Sequence, residues 1–131
     1  MLAPLMRDMI AAELPVLEAN GVSMWGYSVL VALDRSAIRT QAALAEAIGA
    51  DKTRIIAILD ELQAKGLIER VADPEDRRVR LLAITKEGRK VKDATQAAIQ
   101  RGEERWLGTL SAPDRAVFLR VLQELSGLDS S

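Results

Sequence analysis

Neither cysteine nor histidine occurs anywhere in the 131 residues. The first absence removes disulfides, thiolate nucleophiles, thiol redox sensing and the common zinc sites. The second removes the usual general base near neutral pH and the commonest transition-metal ligand, leaving carboxylates, lysines and hydroxyls for any chemistry. The chain also lacks a glycine-rich phosphate loop, a catalytic dyad spacing and a metal cluster, so an enzyme is not expected and neither metal nor cofactor is. No apolar run approaches the roughly 20 residues of a membrane span. The N-terminal stretch mixes Arg7, Asp8 and Glu13 into its apolar residues, unlike a signal peptide, so the expected location is the cytoplasm, with no membrane partner.

What is present fits one globular domain: 49% hydrophobic and 28% charged residues, with no repeat, low-complexity tract or linker. The net charge of -1 does not by itself suggest nucleic acid, but the charge is segregated. Residues 51 to 92 hold 11 lysines and arginines against 8 acidic residues, a local +3, and the remainder carries -4.

Apolar periodicity predicts a mainly α chain with one small β-hairpin. Leu2, Leu5, Met6, Met9 and Ile10 repeat at helical spacing, and Pro15 predicts that this first helix ends near Leu14. Asn20-Gly21 is a turn signal, after which Ser23 caps a helix over 24–33. Thr40 precedes a short alanine-rich helix closed by Gly49. Asp51 caps a longer helix with Ile55, Ile58, Leu59 and Leu62 on one face, stopped by Gly66. Two helices joined by so tight a glycine turn make a helix-turn-helix candidate. Leu67–Val71 and Val79–Ile84 read as strands around a polar turn containing Pro74. From Thr85 a long charged helix runs towards Leu110. Ser111 to Asp114 then opens a last helix with Val117, Phe118, Val121, Leu122 and Leu125 as its stripe, and 128–131 reads as a frayed tail.

Three segments in this order resemble the MarR family of bacterial transcriptional regulators: Thr40–Ala45; Asp51–Thr53 through Leu59–Leu62 with Lys65–Arg70; and Asp73–Arg78 closing at Ile84-Thr85. The resemblance covers nearly the whole chain. It implies a winged helix-turn-helix domain with N- and C-terminal dimerisation helices: a single unit over 1–131, dimerisation helices at 1–14 and 86–126, and a DNA-binding region at 23–85. It also implies a homodimer that regulates transcription by repression at a pseudo-palindromic operator on double-stranded DNA. Independently, the apolar stripes at 2–10, 91–110 and 117–125 exceed what so small a domain can cover from within, and self-association supplies the missing surface.

Within that resemblance, Lys52, Thr53 and Arg54 occupy the first turn of the helix that enters the major groove, with Arg54 the candidate base reader. Thr40 and Gln41 would touch phosphate. In the wing, Asp76 pairs with one of Arg77 and Arg78 while an arginine reaches the minor groove, and which does which stays open. Where relatives often carry a small hydroxyl residue and an arginine after the first recognition turn, this chain has Ile56 and Ala57, so specificity would lean on Arg54, thymine-methyl contacts and DNA shape. The family's crevice for a small aromatic or apolar ligand would be lined here by Met9, Met24, Trp25 and Tyr27, a cluster that equally suits ordinary core. A rival reading is a winged-helix dimer that has lost DNA binding and serves as a protein-interaction module or antirepressor; Lys52, Arg54, Arg77 and Arg78 argue against it.

Overall fold

The computed structural model describes residues 2–36 and 39–128. The chain divides into two units, residues 1–98 and 99–131. The first contains α1 (Leu2–Ala19), α2 (Met24–Arg35), β1 (Arg39–Thr40), α3 (Gln41–Ile48), α4 (Lys52–Ala64), β2 (Ile68–Ala72), β3 (Arg80–Ile84) and the opening turns of α5 (Lys86–Leu107). The rest of α5 and α6 (Ala112–Leu128) form the second.

The hydrophobic core lies in the first unit. Val29, Leu30 and Leu33 of α2, Leu44 of α3, Ile55 and Leu59 of α4, and Leu82 of β3 are all at most 1% exposed. Their spacing of three and four residues along α2 and α4 puts each set on one helix face, as the periodicity predicts. β3 is the central strand of a three-stranded antiparallel sheet ordered β1-β3-β2, with Arg39 paired to Leu82 and Ile68 to Ile84. The third strand is a finding that residue pattern did not foretell. Two residues carry no period, and β1 is recognisable only from the partner that it pairs with.

The first helix departs from expectation. It does not end near Leu14 but continues through Pro15 to Ala19. Proline removes one backbone donor, yet here the extra turn carries Leu17 into the core at 2% exposure, which outweighs that loss. Closure comes at Gly21, in the left-handed region at φ 73°, where Val22 N–H donates to Leu17 O and Gly21 N–H to Glu18 O. This paired arrangement satisfies carbonyls that would otherwise be orphaned. The Asn20-Gly21 turn signal is therefore the true helix end. Smaller differences follow the same logic: α2 runs to Arg35, and α5 stops at Leu107 rather than near Leu110. Residues 129–131 of the expected tail lie outside the described residues.

α5 begins with a doubly used hydroxyl. Thr85 Oγ1 donates to Gly66 O at 2.7 Å and accepts from Gly88 N–H at 3.0 Å, tying the end of α4 to the start of α5. Farther along, Lys92 reaches Asp34 of α2 at 2.6 Å, and Arg89 meets the same carboxylate at 3.2 Å. In the second unit, Arg115 of α6 forks onto both oxygens of Glu104. Ser111 caps α6 by accepting from Asp114 N–H at 3.3 Å. Among the described residues, no single helix is long and apolar enough to cross a membrane.

Candidate nucleic-acid interface

The helix-turn-helix is set by three local devices. Thr40 Oγ1 accepts from Ala43 N–H at 3.2 Å and opens α3. Gly49, at φ 72°, ends it and reverses the chain. Asp51 Oδ1 then accepts from Arg54 N–H at 2.7 Å and opens α4. Only Ala50 stands between the closing glycine and the next cap, so the angle between the helices is determined by backbone geometry as well as packing.

Lys52, Thr53 and Arg54 therefore lie together on the first turn of α4, all exposed. They are joined by the amide donors and positive end of the helix dipole, an arrangement suited to anions. Ile56 and Ala57, on the next turn, are exposed too. Ile56 is 41% exposed, an apolar side chain in water that fits contact with a thymine methyl. Thr40 and Gln41 sit half-buried at the start of α3. The Thr40 hydroxyl oxygen is engaged as a cap, so its remaining hydrogen is what it can offer a phosphate.

The wing between β2 and β3 is closed by its own hydrogen bonds. Asp73 N–H donates to Val79 O and Val79 N–H to Asp76 O, both at 3.0 Å, while Asp73 Oδ1 accepts from Glu75 N–H at 2.9 Å. Asp76 Oδ1 accepts from the Arg78 backbone N–H at 3.1 Å and from Arg78 Nε at 3.2 Å. The side-chain bond from Arg78, aided by the backbone one, holds the Asp76 carboxyl below its ordinary range. Arg77 is exposed and has no ion pair among the described residues. The two arginines that the residue pattern leaves equivalent are thus inequivalent in their bonding: Arg78, though its side chain is 91% exposed, is tied to Asp76, and Arg77 is not.

Two features of this region went unread in the sequence. Arg80, opening β3, is a further exposed cation without an ion pair among the described residues. Its place beside the wing was the available signal. The other is a stack: Arg54 Cζ lies 5.3 Å from the centroid of the Trp25 ring. No spacing rule links residues so far apart.

Of the four residues assigned to a ligand crevice, Met24 and Tyr27 line different grooves. Met24 lines a groove of about 550 Å³ with Leu14, Leu17, Val22 and Lys65. Tyr27 lines a different one of about 340 Å³ with Val31, Arg35 and Ile48. Trp25 lies against Arg54, and Met9 is half-exposed on α1. Among the described residues no group of three or more acidic side chains could hold a metal ion.

Comparison with known proteins agrees with this architecture. The sequence model of the MarR family matches residues 20–79. The chain is 31% identical over 100 residues to the transcriptional regulator HosA of Escherichia coli O111:H-, covering 76% of this chain and 73% of that protein. Among solved structures it is similar to the transcriptional repressor CouR bound to a 23-mer DNA duplex, with a TM-score of 0.83 at 26% identity over 95% of this chain and 89% of that one. CouR from Rhodococcus jostii RHA1 bound to p-coumaroyl-CoA is also similar, with a TM-score of 0.76 at 30% identity over 95% and 87% of the respective chains. The winged helix-turn-helix, its capped recognition helix and these relatives together place the chain in the MarR family of DNA-binding transcriptional regulators, not among enzymes.

Proposed function

We propose that the protein is a homodimeric repressor that binds a pseudo-palindromic operator, with the first turn of α4 in the major groove and the wing in the flanking minor groove. The observation that carries this reading is the grouping of cations at the first turn of α4 and at the wing: Lys52, Arg54, Arg77 and Arg80 are exposed there and have no carboxylate partner among the described residues. In this reading Arg54 reads a base, Lys52, Thr53, Thr40 and Gln41 touch phosphate or base edges, Arg77 enters the minor groove, and Asp76 with Arg78 stiffens the wing. Repression and DNA binding are supported by the similarity to CouR, a transcriptional repressor bound to a 23-mer DNA duplex.

Dimerisation through α1, α5 and α6 is supported by their uncovered apolar faces. Ile10 and Leu14 on α1, Trp106 on α5, and Val117, Phe118, Leu122 and Leu125 on α6 are 38–56% exposed. So much apolar surface on so small a chain calls for a partner, and two-fold symmetry matches that of duplex DNA. Release by a small aromatic or apolar ligand is supported by CouR's complex with p-coumaroyl-CoA and by the open grooves beside Met24 and Tyr27.

The test is fluorescence-anisotropy titration against a duplex that the intact protein selects from a random-sequence pool, with random duplex as competitor and salt varied. Saturable binding of one dimer per duplex that survives competitor is expected, with affinity falling steeply as salt rises. Arg77→Ala should weaken binding more than Arg78→Ala, because the latter loses a turn brace and the former a DNA contact. Binding no tighter than to random duplex would refute the operator reading.

A further inference from the structure

Arg54 reaches across from α4 to Trp25 on α2, and both side chains leave from pinned first turns. Ser23 Oγ accepts from Gly26 N–H at 3.0 Å, fixing the start of α2, and Asp51 does the same for α4. A Cβ at Gly26 would lie 3.2 Å from Ser23 Oγ and 3.4 Å from Leu62 Cδ2, so α2 packs closely on α4 at this point. The Trp25 ring is thereby held beside α4, half-buried, with the Arg54 guanidinium over its face.

A guanidinium held over an aromatic face differs from an ion-paired one. The ring attracts its charge without offering a carboxylate to its five N–H donors. Arg54 has no ion pair among the described residues, so its donor edge stays open while its direction is restricted. We propose that Trp25 is a positioning residue for operator readout: its indole presets the Arg54 guanidinium so that the donor edge meets guanine O6 and N7 in the major groove. This rests on the reading that α4 enters that groove. The benefit is entropic as well as geometric, because a long side chain already restricted in the unbound protein loses less freedom on binding. The same arrangement gives discrimination rather than plain affinity, since a bidentate contact tolerates little misdirection.

The experiment measures affinity for the duplex that the intact protein selects, for the same duplex with each conserved guanine replaced, and for random duplex. The variants are Trp25→Leu, Trp25→Phe, Arg54→Ala and the double variant Trp25→Leu with Arg54→Ala. Trp25→Leu should lose about two- to five-fold on the selected duplex for each half-site, the size of an exposed cation–π contact, with little change on random duplex. Trp25→Phe should recover part of that loss. In the Arg54→Ala background the Trp25 substitution should cost nothing further. If circular dichroism shows Trp25→Leu to be unfolded, Trp25→Phe decides by the same comparison with and without Arg54. Selectivity that Arg54→Ala abolishes but both Trp25 variants retain overturns the proposal and leaves the groove reading standing. Equal losses on selected and random duplex assign Trp25 a purely structural role and overturn it as well. Selectivity that survives Arg54→Ala refutes the base-reading role of Arg54, and the proposal falls with it.

Discussion

Gly88→Ala should be the most damaging single-methyl change in the winged unit. Gly88 is buried in the first turn of α5, and a Cβ there would stand 2.0 Å from Leu67 O and 2.8 Å from Ile84 Cγ1. The first contact is with backbone, which cannot swing aside as a side chain can. Relief requires moving the turn by about 1 Å or more, given that carbon and oxygen ordinarily rest about 3.3 Å apart. Leu67 O also accepts from Thr85 N–H at 3.0 Å, so the displacement strains the link that starts α5. Overpacking costs about 1–3 kcal/mol and the strained hydrogen bond about 1, offset by up to about 1 for replacing a helical glycine. A net loss of about 1–3 kcal/mol is expected, a large share of the stability of a small domain. Urea denaturation followed by circular dichroism, at one fixed protein concentration because the proposed dimer would unfold in a concentration-dependent way, measures it. Gly102→Ala in the same helix is the control: a Cβ there meets nothing within 4 Å among the described residues, so a gain of up to about 1 kcal/mol is expected. A Gly88→Ala midpoint equal to that of Gly102→Ala would refute the reasoning.

Other outcomes follow from the same geometry. The Lys92 hydrogen bond, with a smaller contribution from Arg89, lowers the Asp34 carboxyl pKa; a lowered carboxyl stabilises the fold above its unfolded value, and the stabilisation is lost as pH falls through the folded one. Asp34→Asn should therefore cost about 1–2 kcal/mol at neutral pH, between an exposed and a buried pair, and the gap to wild type should narrow in denaturant titrations carried towards about pH 3. Lys92 is raised, first by Asp34 and then by Asp93, so its contribution persists through neutrality and disappears only above the ordinary lysine range. Asp51→Ala removes the cap of α4 and should cost about 1 kcal/mol of stability in thermal melts, with a loss of operator selectivity larger than its distance from any base would suggest. Leu122→Glu, on the exposed apolar face of α6, should convert the proposed dimer to monomer by light scattering and abolish operator binding; an intact dimer would remove that face from the interface.

Legibility in the sequence tracked the range of the interactions. Caps and turns are local, so Ser23, Thr40, Asp51 and Gly49 could be placed from their neighbours and occupy the positions expected. Pro15 misled because its local cost is real but smaller than the burial of Leu17, which depends on what α1 meets. β1 and the Trp25–Arg54 stack exist only through partners distant in the chain, and no periodicity announces such pairs. The wing shows the boundary within a few residues. The pattern marks Asp76, Arg77 and Arg78 as a unit, but the assignment of Arg78 to Asp76 requires the turn's three-dimensional closure.

That assignment bears on a larger difficulty, the binding of a polyanion by a chain whose formal charge is -1. The acidic side chains of the winged unit do not simply cancel its cations. Asp60 meets Arg70, Glu61 meets Lys65, Asp76 meets Arg78, Glu87 meets Lys90, and Asp34 holds both Arg89 and Lys92. These pairs neutralise cations within helices, across the α4–β2 junction and along α5. Left without a carboxylate among the described residues are Lys52 and Arg54 on the first turn of α4 and Arg77 and Arg80 at the wing, together with Arg7, Arg35 and Lys86 elsewhere on the unit. A duplex senses the nearest charges most strongly, because the Debye length at physiological salt is only about 8 Å. Net charge summed over the chain therefore weighs groups that the DNA scarcely feels, while the uncompensated cations gathered on the first turn of α4 and at the wing favour one face.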